Sequence, residues 1–366
     1  MTDVKRRQRL SAVAALLLVV ALAACGQRAH EEADVAELFA AELTKAKVPG
    51  GALAVRVDDT LRVYPVGEAD EGSPVTEETL FAYRSVTKSF VVTAALTLVE
   101  EGLLELEAPT PAPEDGVNPA AATLRQLAAM RSGVPNYSAQ PGLIDALSAD
   151  PERSWSDADL FGLVRGQPET FAPGTSYQYS NTNTLLLARA IEQVTGGTWA
   201  QAVVTTVTEP LGLESVRYPG DAGELPAGAA EPFEVADEGV DELPVVRASA
   251  FGASGGLFGT VGDLASWAQA LGTGAVLTPA TQEARLEAFG PTDADPQSPL
   301  YDAYGLGIGR IGDWIGHTGN GLGYQALAMY HPEAQVAVAI TLNATGDDQD
   351  LPAHLLQRLE DVLLAH

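Results

Sequence analysis

Ser85 and Lys88, three residues apart in Arg84-Ser85-Val86-Thr87-Lys88-Ser89-Phe90, are a hydroxyl and an amine that one face of a helix would bring together. An amine relieved of its proton can take the proton of a serine and make that serine a nucleophile for acyl transfer. The apolar run from Val91 to Leu104 supplies the helix, with Ser85 in its first turn, where unpaired N–H groups and the helix dipole favour developing negative charge. The same two residues would also suit a structural role, Ser85 as an N-cap and Lys88 as a solvated first-turn side chain. Lysine usage favours the chemical reading, because the chain has only four lysines, at 5, 45, 47 and 88, against 17 arginines. A cation in the first turn also opposes the dipole, so helix stability does not account for Lys88.

Two further stretches carry polar groups that could meet this pair. Pro173-Gly174-Thr175-Ser176-Tyr177-Gln178-Tyr179-Ser180-Asn181 reads as a tight turn followed by Y-S-N and a helix. Ser180 or Asn181 would cap that helix, but a cap does not require Tyr179. Gly316-His317-Thr318-Gly319 falls where a strand is expected, and its glycines would let a substrate approach the backbone. Gly252-Ala253-Ser254-Gly255-Gly256 also matches the G-x-S-x-G nucleophile elbow of α/β-hydrolases, which would make Ser254 a rival nucleophile. That fold needs parallel strands alternating with helices ahead of the serine, and the long helical and Pro-rich segment before Ser254 does not supply them.

S-x-x-K, Y-x-N and H-T-G, in that chain order, resemble the three signatures of the penicillin-recognising serine enzymes, the class C β-lactamases and D-alanyl-D-alanine carboxypeptidases with their related esterases and aminopeptidases. Thr123-Leu124-Arg125-Gln126-Leu127 followed by Ser132-Gly133, and Gly255-Gly256-Leu257, add to the likeness, which covers the chain from about residue 35 to its end. The resemblance implies an α+β, β-lactamase/transpeptidase-like fold and an acyl-enzyme mechanism without metal or cofactor. It implies Ser85 as nucleophile, Lys88 and Tyr179 as acid and base in an order left open, and Asn181 as donor to the substrate amide carbonyl. The N–H groups of Ser85 and Asn320 would form the oxyanion hole, with His317, Thr318, Gly319 and Asn320 lining the substrate strand. A carboxypeptidase must also hold a substrate carboxylate, for which Arg310 on the preceding strand is the candidate cation, unless strand parity turns it to solvent.

The elements that must hold these groups can be read from periodicity. Residues 36–46 have helical spacing, and Gly51–Val57 with Leu61–Val66 reads as a hairpin around Asp58-Asp59-Thr60, followed by a short strand at Leu80–Tyr83. Helices are expected at Ala121–Arg131, Thr182–Thr195, Trp199–Val207, Thr260–Leu271, Pro279–Ala288 and Leu351–Leu364. Strands are expected at Tyr304–Ile311, Trp314–His317, Gly323–Tyr330 and Val336–Leu342, and residues 219–246 read as a surface excursion. Together these give one antiparallel sheet made from both chain ends (35–104 and 290–366), flanked by helices, with a mostly helical insertion (105–289).

Lys5, Arg6, Arg7 and Arg9 precede an apolar run from Ala12 to Ala24, the pattern of a signal peptide, ending in Leu22-Ala23-Ala24-Cys25-Gly26, which resembles a lipobox. The expectation is a leader at 1–24, lipidation of the single cysteine, Cys25, a tether to residue 34, and a serine hydrolase domain at 35–366 anchored on the outer side of the bacterial cell membrane. Cleavage would leave 17 basic against 48 acidic side chains, a surface that repels nucleic acid and anionic headgroups. The five histidines, at 30, 317, 331, 354 and 366, lack metal-ligand spacing. The expected activity is D-alanyl-D-alanine carboxypeptidase-like action by a monomer on a peptidoglycan stem peptide, with a β-lactam or a small ester or amide as other substrates. A class C-like β-lactamase or esterase is the alternative, and a non-catalytic envelope binding protein the alternative of another class.

Overall fold

The computed structural model describes residues 35–110 and 122–365. The expected leader, Cys25 and tether lie outside the described residues, as do Pro111, Pro113 and Pro119 of the Pro-rich loop.

A helix at 35–46 (α1) leads into the hairpin Gly50–Val57 (β1) and Thr60–Asp70 (β2), with Ser73–Pro74 (β3) added at the edge. The C-terminal part returns as Gly290–Pro291 (β4), Ala303–Tyr304 (β5), Gly309–Ile311 (β6), Trp314–Gly321 (β7), Tyr324–His331 (β8) and Val336–Leu342 (β9). These nine strands form one sheet in the order β3-β2-β1-β9-β8-β7-β6-β5-β4, with every neighbouring pair antiparallel. The seam that joins the chain ends is β1 with β9, from Gly51 opposite Leu342 to Val57 opposite Val336.

Side-chain alternation gives the two faces different textures. Ala52, Ala54, Ala326, Ala328, Ala337 and Ala339 lie on one face, in the core that also holds Phe90, Leu264 and Trp267. Leu53, Val55, Leu327, Met329, Val338 and Ile340 lie on the other, against Phe39 and Leu43 of α1 and Leu355, Leu356 and Leu359 of the C-terminal helix Leu351–Leu363. The alanine face leaves room for bulky helical residues to come close to the sheet, and Trp267 stacks on Phe90 with ring centroids 4.1 Å apart. Phe90 belongs to Thr87–Glu100 (α2), which is buried on every side from Thr87 through Leu98. Asn181–Thr195 (α3) and Val261–Thr273 (α4) complete the helical body, each ended by a left-handed glycine, Gly196 and Gly274.

Four expectations change in detail. The strand expected over Tyr304–Ile311 is two strands joined by a tight turn at Gly305–Ile308, because Gly307 sits at φ +65° and packs against Val92, where a Cβ would have no room. The helix expected at Ala121–Arg131 is only Leu124–Ala128, opened by a Thr123/Gln126 capping box, and Met130 takes φ +57° two residues beyond it. Trp199–Val203 is α-helical, but the next turn, Val204–Thr208, widens to a π-helix. The surface excursion holds a hairpin, Phe233–Ala236 with Gly239–Glu242, attached to Ala344–Thr345.

Candidate active site

The strand Phe81–Ala82 pairs with Phe258–Gly259 and delivers the chain to Ser85. Ser85 sits one step ahead of α2, in a 3-10 turn spanning Arg84–Val86, rather than in the α-helix proper. Arg84 takes the left-handed conformation at φ +47°, which for a residue with a side chain stores about 1–3 kcal/mol of strain. Its own guanidinium holds it there. Nε donates to the Gly321 carbonyl at 2.8 Å and Nη2 to that of Leu322 at 3.0 Å, while the group stacks over Phe251 at 4.0 Å and Tyr324 at 4.9 Å. Burial lowers the Arg84 pKa only to about 10, so the clamp stays charged at neutral pH. Arg84 thus ties the turn carrying Ser85 to the turn between β7 and β8.

β7 approaches the same turn through Gly319. A Cβ there would lie 2.4 Å from the Tyr83 carbonyl oxygen and 2.8 Å from the Ser85 nitrogen. Only glycine lets the strand run this close.

Lys88 Nζ lies 2.7 Å from Ser85 Oγ and donates to the Ser254 carbonyl, also at 2.7 Å. The side chain is fully buried, with no compensating carboxylate among the described residues, so desolvation pushes its pKa well below 10.5 and favours the neutral amine. Ser254, the rival nucleophile, is itself buried. It occupies a 3-10 turn rather than a strand-to-helix elbow, and its hydroxyl donates to the Phe251 carbonyl at 2.6 Å beside the Tyr137 hydroxyl. The G-x-S-x-G stretch therefore serves as the loop whose carbonyl receives Lys88.

Tyr179 arrives on an extended segment, its N–H donating to Asp295 Oδ2 at 2.9 Å. Lys88 Nζ lies 5.0 Å from the centre of its ring, on the face. The phenol oxygen is buried without an aligned hydrogen bond, and burial drives its pKa well above 10.0 although the nearby Ser85 hydroxyl pulls the other way. Tyr179 is a neutral phenol that still holds its proton.

Asn181 opens α3. Its N–H donates to Asn136 Oδ1 at 3.0 Å and its Nδ2 to Ser138 Oγ at 2.6 Å. The cap anticipated from Ser180 or Asn181 comes instead from Asn136, since Ser180 holds the N-cap position with its hydroxyl unbonded.

Two expected substrate contacts are corrected. His317 does not line the cavity. Fully buried, its Nδ1 donates to the Thr318 carbonyl at 2.6 Å and its Nε2 accepts from Tyr304 Oη at 2.9 Å, the tautomer being assigned from these partners. Burial lowers its pKa to about 3, so the ring is neutral and props the tyrosines behind Tyr179. Arg310 is exposed, stacked over Phe289 at 4.3 Å, because its strand parity turns it outward. The cavity, about 390 Å³, is lined by Ser85, Tyr179, Asn181, Thr318, Gly319 and Asn320, together with Asp350 and its neighbours, which sequence reasoning had not picked out. Among the described residues, no group of three His, Cys, Asp or Glu could hold a metal, and no helix is long and apolar enough to cross a membrane.

Residues 35–362 match the Beta-lactamase family model, and the chain belongs to that family. A segment of 170 residues is 32% identical to Esterase EstB of Burkholderia gladioli, covering 43% of each chain, so the likeness spans less than half of that esterase. Penicillin-binding protein 4* of Bacillus subtilis is 24% identical over 335 residues, covering 86% of this chain and 72% of that protein. The solved structure of the D-amino acid amidase from Ochrobactrum anthropi SV3 with L-phenylalanine superposes at a TM-score of 0.79 and 22% identity, over 92% of this chain and 98% of that one. The β-lactamase/transpeptidase-like fold is thereby shown.

Proposed function

We propose that Ser85 is the nucleophile, Lys88 the general base and Tyr179 the general acid of a hydrolase acting on an amide or ester. The observation that carries this reading is the 2.7 Å contact between a buried, uncompensated Lys88 amine and Ser85 Oγ. Neutral Lys88 takes the Ser85 proton as Oγ attacks the carbonyl. The N–H groups of Ser85 and Asn320 receive the oxyanion, and Tyr179 gives its proton to the leaving amine or alcohol and regains one from the Lys88 ammonium; water then attacks the acyl carbonyl with its proton passing to Lys88, which returns it to Ser85 Oγ as the acid leaves. Lys88 rather than Tyr179 is the base because burial favours the neutral form of each, and a neutral amine is basic enough to take the serine proton whereas a neutral phenol is not. Hydrolysis of p-nitrophenyl acetate by the wild type and its loss in Ser85→Ala tests this. Equal rates in the two would reject it.

No Lys or Arg lines the cavity among the described residues, whereas Asp350 does, so nothing there neutralises a substrate carboxylate. This favours amides and esters without a free C-terminal carboxylate. The D-alanyl-D-alanine carboxypeptidase reading is second, favoured by the penicillin-binding protein likeness over 86% of the chain. Release of D-alanine from a stem peptide would decide for it.

Export and anchoring through Cys25 are also proposed, on the basic, apolar and small-residue order of the first 25 residues. Incorporation of labelled palmitate, lost in Cys25→Ala, is the test.

A further inference from the structure

The segment that carries Tyr179 is gripped through its main chain from two sides. The Gln178 N–H donates to the Met130 carbonyl at 3.0 Å, and the next N–H, that of Tyr179, donates to Asp295 Oδ2 at 2.9 Å. The other oxygen of the same carboxylate, Oδ1, accepts the Gln297 N–H at 3.0 Å, and Ser298 Oγ meets the Tyr177 hydroxyl at 3.1 Å. Asp295 and Ser298 therefore clasp residues 177 and 179 together. The same short stretch puts Gln297, Ser298 and Pro299 into the cavity wall, whereas Asp295 itself does not line the cavity.

Tyr179 depends on this clasp because its own side chain has little else to hold it. The phenol oxygen is buried without an aligned hydrogen bond, and the ring packs against Tyr304 and His317 with centroids 6.1 and 6.4 Å away. Those contacts bound the ring but do not fix how far the hydroxyl reaches toward Ser85, so that reach is set where the main chain is anchored. A carboxylate suits the task, since its two oxygens take the Tyr179 and Gln297 N–H groups at once in charge-assisted hydrogen bonds. We propose that Asp295 is the positioning residue of the general acid, holding the Tyr179 main chain so that Oη stands within proton-transfer reach of the leaving group. This inference rests on Tyr179 being that acid.

The consequence is specific to the leaving group. A p-nitrophenolate departs without a proton, whereas an alkoxide needs one in the transition state, so a misplaced acid slows the second far more than the first. The test compares kcat/KM for p-nitrobenzyl acetate and p-nitrophenyl acetate, which share an acyl group, in wild type, Asp295→Ala, Asp295→Asn, Tyr179→Phe and the Asp295→Ala/Tyr179→Phe double variant. The readout is the ratio of the first substrate to the second within each enzyme, so loss of folded protein cancels. Asp295→Ala should lower the ratio by about 100-fold, the effect of displacing a reacting group by about 1 Å. Asp295→Asn keeps one oxygen for the Tyr179 N–H and should recover part of it. Tyr179→Phe should lower the ratio at least as far, and adding Asp295→Ala to it should lower it no further. A ratio unchanged in Asp295→Ala, or lower in the double variant than in Tyr179→Phe, overturns the positioning role while leaving Tyr179 as the acid. A ratio unchanged in Tyr179→Phe, or a wild type that does not cleave p-nitrobenzyl acetate, overturns the reading on which the role rests, and the role with it.

Discussion

Gly319→Ala adds one methyl group at the closest approach between β7 and the turn that carries Ser85. The new Cβ would stand 2.4 Å from the Tyr83 carbonyl oxygen, 2.8 Å from the Ser85 nitrogen and 3.0 Å from Arg84 Cβ. Two of these are backbone atoms, which cannot swing aside, and ordinary contact begins near 3.4 Å, so the strand must retreat by about 1 Å. Overpacking of this kind costs about 1–3 kcal/mol of stability. The larger effect is on catalysis, because the retreat carries the Asn320 N–H away from the oxyanion formed at Ser85. Displacement by 1 Å, or loss of one oxyanion donor, costs about 100-fold in rate. The assay is steady-state hydrolysis of p-nitrophenyl acetate with a thermal melt of the same sample. The expected result is a kcat/KM lower by about 100-fold in a protein that melts only a few degrees earlier. Activity within threefold of wild type would refute the idea that β7 supplies part of the reaction centre.

Lys88→Met should abolish hydrolysis while stabilising the fold. The folded-state pKa of Lys88 lies well below 10.5, so the unfolded chain binds more protons between those two values, and the penalty for burying the amine shrinks as pH rises toward 10.5. Melting curves against pH should show a gain for Lys88→Met at neutral pH that fades toward pH 10.5, and wild-type kcat/KM should rise with pH through the lowered pKa. A mutant less stable than wild type at neutral pH would contradict the buried-amine account. Ser254→Ala keeps the carbonyl that receives Lys88, so its activity should remain within a few-fold of wild type and its stability should fall by about 1 kcal/mol. Loss of turnover there as complete as in Ser85→Ala would reopen the rival nucleophile. Arg84→Gln should lower kcat by about tenfold or more with little change in KM, and Arg84→Lys should recover little, because an ammonium cannot span the Gly321 and Leu322 carbonyls as the guanidinium does. An unchanged kcat would mean that the left-handed turn holds without its clamp.

Much of the scaffold was legible because it follows from local periodicity. The β1–β2 hairpin, α3, β9 and the C-terminal helix fall within a few residues of their expected bounds, since each buries a regular stripe or ends at a glycine or polar turn. The contact between Ser85 and Lys88 was legible for the same reason, three residues being nearly one turn. The sequence could not show what depends on distant backbone. Arg84 acts on carbonyls more than 230 residues away, Ser254 contributes a main-chain oxygen rather than its hydroxyl, and Asp350 reaches the cavity only because the last loop folds back over β7. His317 was misassigned because a motif gives chain position but not the direction of a side chain, whereas the role of Arg310 stays open in the sequence until strand parity is known. Alternation along the strand turns Arg310 outward, and two tyrosines from the preceding segment enclose His317.

The most direct test is peptide mapping by mass spectrometry after reaction with a penicillin or a slowly released p-nitrophenyl ester, run on wild type and on Ser85→Ala. The acyl group should be found on the peptide containing Ser85 in wild type, with no adduct in the mutant. An adduct on the peptide containing Ser254, or equal labelling of both proteins, would contradict Ser85 as the nucleophile.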